Sequence, residues 1–165
     1  MKTALKWTGI FFLCLVLQTT LVPAIGIMGA SPDLLMVALF FLARKTGPFT
    51  ATWVGFFLGL AEDLYSPSIL GQNALSRTAA GFFAGLFNER VMRIDYIFQL
   101  MLLVLTFFLH DALYYTVQMM KTGSTGAGGL VHVFVTSTMP RTLYSLLFAL
   151  IPAIKNLVFP TSSRR

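Results

Sequence analysis

The chain has 165 residues, of which 56% are hydrophobic and only 11% are charged, and its mean hydropathy is +0.78. Soluble globular domains carry about 25% charged residues, so this composition excludes that class and predicts a polytopic membrane protein. The net charge of +6 does not indicate binding to nucleic acid, because the basic residues stand in small groups between apolar runs and form no patch with interleaved aromatics.

A spanning helix needs about 20 apolar residues. The length therefore predicts an all-α membrane helix bundle with about six transmembrane helices in a single domain, residues 1–165. The first segment covers residues 7–22 and ends before Pro23. Lys2 and Lys6 ahead of it also resemble the start of a secretory signal. The apolar run is long enough to span, however, and further membrane segments follow, which favours an uncleaved first helix.

The second segment, residues 32–44, is short for a span at a rise of 1.5 Å per residue. Either it is a half-helix completed by the irregular stretch before it, or the membrane thins there. The third segment begins at Gly47-Pro48, where proline suits a first helical turn, and reaches residue 64. The fourth and fifth cover residues 73–87 and 96–119. A glycine-rich loop precedes the sixth, residues 130–158, which Pro140 and Pro152 kink or offset.

The loop charges predict the orientation, because lysine and arginine are concentrated on the cytoplasmic side of membrane proteins. With six spans and a cytoplasmic N-terminus, the outer loops hold Lys121 alone. The cytoplasmic side then holds Lys2, Lys6, Arg44, Lys45, Arg90, Arg93, Lys155, Arg164 and Arg165. This asymmetry predicts that both termini are cytoplasmic.

Six titratable residues lie within the apolar segments or at their ends: Glu62, Asp63, Arg77, His110, Asp111 and Arg141. A charge facing lipid alone would cost about 2.5–3.5 kcal/mol, so these side chains are predicted to face the bundle interior and to pair. Asp111 and Arg141 are equidistant from Gly126 in the glycine-rich loop. An antiparallel hairpin of the fifth and sixth segments would therefore make them a buried polar pair.

In the third and fourth segments, small or polar residues recur every four positions. They are Gly55, Gly59 and Asp63, then Asn73, Arg77, Gly81 and Gly85. Such spacing keeps residues on one slowly turning helix face, and small residues let two helices approach closely. An antiparallel register that places Gly55 beside Gly85 also places Gly59 beside Gly81. The same register brings Asp63 to Arg77.

Three interpretations of these polar residues stay open. They are buried ion pairs that fix the helix order, a site for partner binding or gating, or a relay for protons or substrate. No Gly-x-Ser-x-Gly or His-Glu-x-x-His motif occurs, and Cys14 stands alone. Asp63 with Asp111 could be imagined as a carboxylate pair, but each has an arginine as a nearer partner. The sequence therefore predicts no enzyme, metal site or cofactor.

Several short motifs resemble the MreD family of rod shape-determining proteins. They are Pro32-Asp33-Leu34, Arg44-Lys45-Thr46-Gly47-Pro48, Gly55-x-x-x-Gly59-Leu60-x-x-Asp63, Gly71-x-Asn73-Ala74-Leu75 and Gly81, within residues 32–90. The resemblance implies a non-enzymatic component of the bacterial elongation machinery in the cytoplasmic membrane. It also implies a fold similar to the substrate-binding subunits of energy-coupling-factor transporters.

The partners that the resemblance implies are the single-span protein MreC, bound directly, with RodA, a penicillin-binding transpeptidase and MreB as further members of the complex. Membrane lipid surrounds the bundle. Eight residues are expected to support helix packing and partner binding: Gly55, Gly59, Asp63, Gly71, Asn73, Arg77, Gly81 and Gly85. The alternative is a solute-binding transporter subunit, and an intramembrane hydrolase comes third. Copurification with MreC would favour the scaffold, and copurification with an ATPase module would favour the transporter.

Overall fold

The computed structural model of the chain describes residues 2–20, 32–65, 70–89, 95–122 and 138–147. These ranges are helical, without a strand. The helices are α1 (Lys2–Thr20), α2 (Leu34–Thr46), α3 (Pro48–Asp63), α4 (Gln72–Leu86), α5 (Tyr96–Thr122) and α6 (residues 138–147). Several predictions lie outside the described residues: the break at Pro23, the glycine-rich loop with Gly126, the kink at Pro152, and the positions of Arg90, Arg93, Lys155, Arg164 and Arg165.

Local sequence explains where α2, α3 and α4 begin and end. Asp33 caps α2, since its carboxylate accepts the N–H of Met36 at 2.9 Å. Gly47 ends α2 with a φ of +92°, a conformation that favours glycine, and Pro48 then starts α3 in its first turn. Gly71, with a φ of +94°, precedes α4. These turns set three helices side by side within a short stretch of chain.

Among the described residues, one helical stretch is long and apolar enough to cross a membrane. It is Ile97–Met120 in α5, with 24 residues and a mean hydropathy of 1.7. The helices α2, α3 and α4 have 13, 16 and 15 residues, or roughly 20–24 Å at 1.5 Å per residue. The all-α prediction is confirmed for the described chain, and the count of six spans stays a prediction.

The short helix α2 forms the centre of the bundle. It packs against α1, α3, α4 and α5, and its side chains from Leu35 to Phe40 are buried. The helix α5 presents a buried stripe at helical spacing, with Leu103, Phe107, His110 and Asp111. Large apolar side chains cover much of the outer surface, as expected for a lipid-facing bundle. The polar residues of the stripe therefore point into the bundle interior.

Candidate functional site

The helices α3 and α4 form the most extensive helix pair, and glycines make their close approach possible. A Cβ added at Gly55 would stand 2.5 Å from the carbonyl oxygen of Arg77, and one at Gly59 would overlap the backbone of Asn73 and Ala74. Atoms at such distances repel strongly. Both positions on α3 therefore exclude any side chain while this packing persists.

The glycines of α4 contact the backbone of α3 in the same way. A Cβ at Gly81 would stand 2.6 Å from the carbonyl oxygen of Ala51, and one at Gly85 would stand 2.5 Å from the Cα of Pro48. Each of these glycines thus faces main-chain atoms of the neighbouring segment, and Gly85 lies against both Pro48 and Gly47. All four glycines belong to a single interface.

The observed register corrects the predicted one. Gly55 lies against Arg77 rather than Gly85, and Gly59 lies against Asn73 rather than Gly81, a shift of eight positions in each case. Eight positions are about two helical turns. The short connection explains the shift, because α3 ends at Asp63 and α4 begins at Gln72. The hairpin must therefore place the last turn of α3 beside the first turn of α4.

Asp63 binds the N-terminus of α4. Its carboxylate accepts the backbone N–H groups of Gly71, Asn73 and Ala74 at 2.8, 3.1 and 3.1 Å. It also accepts the side-chain amide of Asn73 at 2.9 Å. The first N–H groups of a helix have no partner within the helix and carry a partial positive charge. Asp63 satisfies several of them at once and fixes the register of the hairpin.

Arg77 is fully buried and binds two carboxylates. Its Nη2 atom donates to both carboxylate oxygens of Asp33, at 3.2 and 3.0 Å, and it forms an ion pair with Glu62. The prediction joined Arg77 to Asp63, whereas the ion pairs described for Arg77 join it to Asp33 and Glu62. The eight-residue change in register is the reason, because it places Asp63 beside residues 71–74, and Arg77 lies three residues further along α4.

Asp33 also binds Arg141, whose Nη2 atom donates to its carboxylate at 2.7 Å. The Asp33 backbone N–H donates to the Oγ of Ser145 at 2.9 Å, so α2 meets α6 at two points. Arg141 Nη1 lies 3.7 Å from the carboxylate of Asp111, the partner that the sequence analysis gives it. The Nδ1 atom of His110 is 2.8 Å from the same oxygen of Asp111.

These contacts define a buried ionic cluster, which consists of Asp33, Glu62, Arg77, His110, Asp111 and Arg141. It contains three carboxylates, two guanidinium groups and one imidazole. Its members come from α2, α3, α4, α5 and α6. The cluster lies where α2 begins, α3 ends and α4 begins, which we call the cluster end. It joins five helices that are separated by as many as 108 positions in sequence.

Sequence reasoning did not assign Asp33 to this site. The residue stood at the edge of a predicted segment, in a motif quoted for its family resemblance, and so was not counted among the residues unsuited to lipid. Its helix-capping position in front of an apolar run was the available signal. A single sequence does not show that Asp33 pairs with two arginines from distant segments. Asp33 nevertheless forms two ion pairs in the cluster, one with Arg77 and one with Arg141.

The opposite end of the bundle, where α2 ends and α4 ends, has a smaller charged contact. Arg44 lies in the last turn of α2, and its side chain is buried. Its Nη2 atom lies 3.8 Å from the half-exposed carboxylate of Glu89, and its carbonyl oxygen accepts the Glu89 N–H at 2.9 Å. Lys45 beside it is exposed. The turn at Gly47 folds the chain back and covers Arg44.

The described residues offer no group of three or more His, Cys, Asp or Glu side chains placed to hold a metal ion. In the cluster, each described carboxylate has an arginine within ion-pair distance. Ion pairs of this kind connect neighbouring helices.

The chain matches a known protein family. The family described as rod shape-determining protein MreD matches residues 1–158 of the 165. No curated protein and no solved structure matches the chain. The family match extends well beyond residues 32–90, where the motifs of the resemblance lie, and includes all members of the ionic cluster.

Proposed function

Because the chain belongs to the MreD family, whose role is rod shape determination, we propose that it acts as a non-enzymatic membrane scaffold of the cell-elongation machinery. In this role it binds MreC directly and supports peripheral peptidoglycan synthesis. RodA, a penicillin-binding transpeptidase and MreB are the further members of the proposed complex. The protein lies in the bacterial cytoplasmic membrane as a multi-pass bundle with both termini in the cytoplasm.

The observation that carries the proposal is the ionic cluster. Its charged groups bind one another across five helices and so hold the bundle in one arrangement. Breaking a buried ion pair by removing one partner costs about 3–5 kcal/mol, so the cluster strongly opposes rearrangement of the helices. A bundle braced in this way suits a protein that presents a fixed surface to other membrane segments.

The outer surface supports the same proposal. On α3, exposed Phe49, Trp53 and Phe57 follow one another at four-residue spacing, and the Trp53 and Phe57 rings stack with centroids 6.2 Å apart. Helix association in membranes depends on packing between such apolar surfaces. A polar interior closed by ion pairs and an apolar exterior together fit a scaffold better than a solute-binding subunit.

Copurification tests the proposed partner. The tagged chain is coexpressed with MreC and, in parallel, with an energy-coupling ATPase module, then purified in mild detergent. We expect MreC to copurify in stoichiometric amount and the ATPase module to be lost. Retention of the ATPase module without MreC would overturn the scaffold in favour of the transporter subunit. An unrelated tagged polytopic protein serves as the control for nonspecific capture.

Cysteine labelling tests the proposed orientation. In a Cys14→Ser background, single cysteines replace Lys45, Gly126 or Arg165. An impermeant thiol reagent added to intact cells should label position 126 and leave positions 45 and 165 unlabelled until the membrane is opened. Labelling of position 45 from outside would exclude the six-span arrangement, because the second segment would then fail to cross.

A further inference from the structure

The two ends of the α3–α4 hairpin limit the thickness of bilayer that this hairpin can cross. At the opposite end, Lys45 and Glu89 expose charged groups, which belong outside the hydrocarbon of a membrane. At the cluster end, the exposed residues Tyr65 and Leu70 lie outside the helices. Irregular backbone that faces lipid is not found within the hydrocarbon, because its polar groups would lack partners. Each end of the hairpin therefore belongs at a bilayer surface.

The distance between these two ends is short. The helices α3 and α4 have 16 and 15 residues, or about 24 and 22 Å at 1.5 Å per residue. The hydrocarbon of a typical bilayer is about 30 Å thick. A tilt of the hairpin would reduce its reach across the membrane, so tilting cannot make up the missing length.

The helix α5 presents a longer apolar surface. Its stretch Ile97–Met120 has 24 residues, or about 36 Å at the same rise. Within this stretch Asp111 is buried, so its charge does not face lipid. A helix longer than the hydrocarbon is accommodated when it tilts. The bundle thus offers two different apolar lengths to the surrounding lipid.

Two contacts show at which end the lengths differ. The ring of Phe98, in the first turn of α5, lies 6.3 Å from the ring of Phe87, where α4 ends. The two helices are therefore level at the opposite end. Near the cluster end, Gln72 Nε2 donates to the carbonyl oxygen of Tyr114 at 2.8 Å, which places the start of α4 beside residue 114. From there α5 continues to Thr122, about 12 Å further, so the mismatch lies at the cluster end.

The outer surface of the hairpin is suited to lipid along its whole length. Apart from Thr50, the exposed side chains of α3 and α4 are apolar or aromatic, and so are the exposed residues described at the tip. They are Phe49, Trp53, Phe56, Phe57, Leu64, Tyr65, Leu70, Leu75, Phe82 and Leu86. Tyrosine is enriched where hydrocarbon meets water. The tip therefore fits the bilayer surface, although it stops well short of the end of α5.

We propose that the outer face of α3 and α4 is a lipid-binding surface that thins the adjacent bilayer, in the leaflet at the cluster end. Its ligand is phospholipid with short acyl chains, because bilayers adapt to a short span by thinning beside it. The inference rests on the proposed multi-pass placement in the membrane. It adds a lipid preference that the scaffold function does not require and that no partner protein needs to supply.

Spin labels at two positions of equal height test the thinning directly. In a Cys14→Ser background, a single cysteine replaces either Leu70 at the hairpin tip or Thr116, which is exposed on α5 near Tyr114. The chain is placed in phosphatidylcholine vesicles without a partner. We expect a water-soluble paramagnetic reagent to reach the label at position 70, and oxygen dissolved in the hydrocarbon to reach the label at position 116.

Three results would overturn the proposal. Contact with oxygen at both positions would mean that the bilayer is equally thick beside both helices. Shielding of position 70 from both reagents would mean that a second copy of the chain, rather than lipid, covers the hairpin. Contact with water at both positions would mean that α5 does not extend into thicker hydrocarbon. Cysteine labelling at positions 45, 126 and 165 tests the placement separately, so a failure of the thinning is distinguishable from a failure of the placement.

Thermal unfolding of the unaltered chain tests the lipid preference without any variant. The chain is placed in fluid phosphatidylcholine vesicles whose acyl chains have about 14, 18 or 22 carbons, which changes the thickness and keeps the headgroup constant. We expect the melting temperature to fall by several degrees from the shortest to the longest lipid, because the lipid beside the hairpin must deform more. A melting temperature that rises or stays level with acyl-chain length would overturn the proposal.

Discussion

The two ends of the bundle use charge in different ways. At the cluster end, six charged or titratable side chains from five helices contact one another, and Asp33 binds Arg77 and Arg141 at 3.0 and 2.7 Å. At the opposite end, the ion pair found among the described residues joins Arg44 to the half-exposed Glu89 at 3.8 Å. The turn at Gly47 and the backbone bond from Glu89 to Arg44 hold that end together.

The difference follows from how closely the helices at each end are connected along the chain. At the opposite end, a single residue, Gly47, joins α2 to α3, so the covalent chain itself restricts their arrangement. At the cluster end, α2, α5 and α6 meet although long stretches of chain separate them. Lipid gives little hydrophobic drive for helices to associate, so charged contacts are required to select one arrangement.

Asp33→Ala should have the largest effect, since it removes a carboxylate partner from the buried Arg77 and the partly buried Arg141 and also removes the cap of α2. We expect a loss of about 3–5 kcal/mol, seen as strongly reduced membrane abundance and a lower melting temperature in detergent. Lys45→Ala, at an exposed position at the other end of the bundle, is the control and should behave as the unaltered chain. Equal abundance of the two variants would show that the cluster does not brace the bundle.

Gly59→Ala should follow, because the added methyl group would overlap the backbone of α4. Overpacking of this kind costs about 1–3 kcal/mol, and melting temperature is the suitable measure. Gly9→Ala is the control, as nothing lies within 4 Å of a Cβ added there. A Gly59→Ala variant that melts like Gly9→Ala would contradict the close approach of α3 and α4.

Asp63→Ala should have an intermediate effect, because it removes the capping carboxylate of α4. Loss of a helix cap costs about 0.5–2 kcal/mol, and we expect lower abundance with weaker association with MreC. The structure also alters the result expected when Arg77→Leu is added to Asp63→Ala. Arg77 binds Asp33 and Glu62, so the double variant should be less stable than Asp63→Ala alone. Recovery of abundance in the double variant would contradict this expectation and support the ion pair between Asp63 and Arg77 that the sequence predicts.

Glu89→Ala should have the smallest effect. Its carboxylate is half-exposed and 3.8 Å from Arg44, and exposed ion pairs contribute about 0–1 kcal/mol. Melting temperature in detergent should fall by far less than in Asp33→Ala, with Lys45→Ala as the control at the neighbouring exposed position. A loss comparable to that of Asp33→Ala would remove the contrast between the two ends.

Much of the local structure could be predicted from the sequence. The apolar runs, the turn at Gly47-Pro48 and the start of a helix after Gly71 agree with the observed helix bounds. The glycine spacing correctly indicated two helix faces that contact each other. It could not fix which glycine meets which residue, because glycines repeat every four positions and a shift by whole turns preserves the pattern.

The sequence by itself determined that the chain is helical, where its helices lie, and that charged residues within apolar segments require partners. These properties depend on local periodicity and on the cost of burying charge. Only the tertiary structure decided that Asp33 binds Arg77 and Arg141, that Asp63 caps α4, and that Arg44 is buried. Each of these contacts depends on which residues of separate helices lie beside one another, and packing between distant segments sets that alignment.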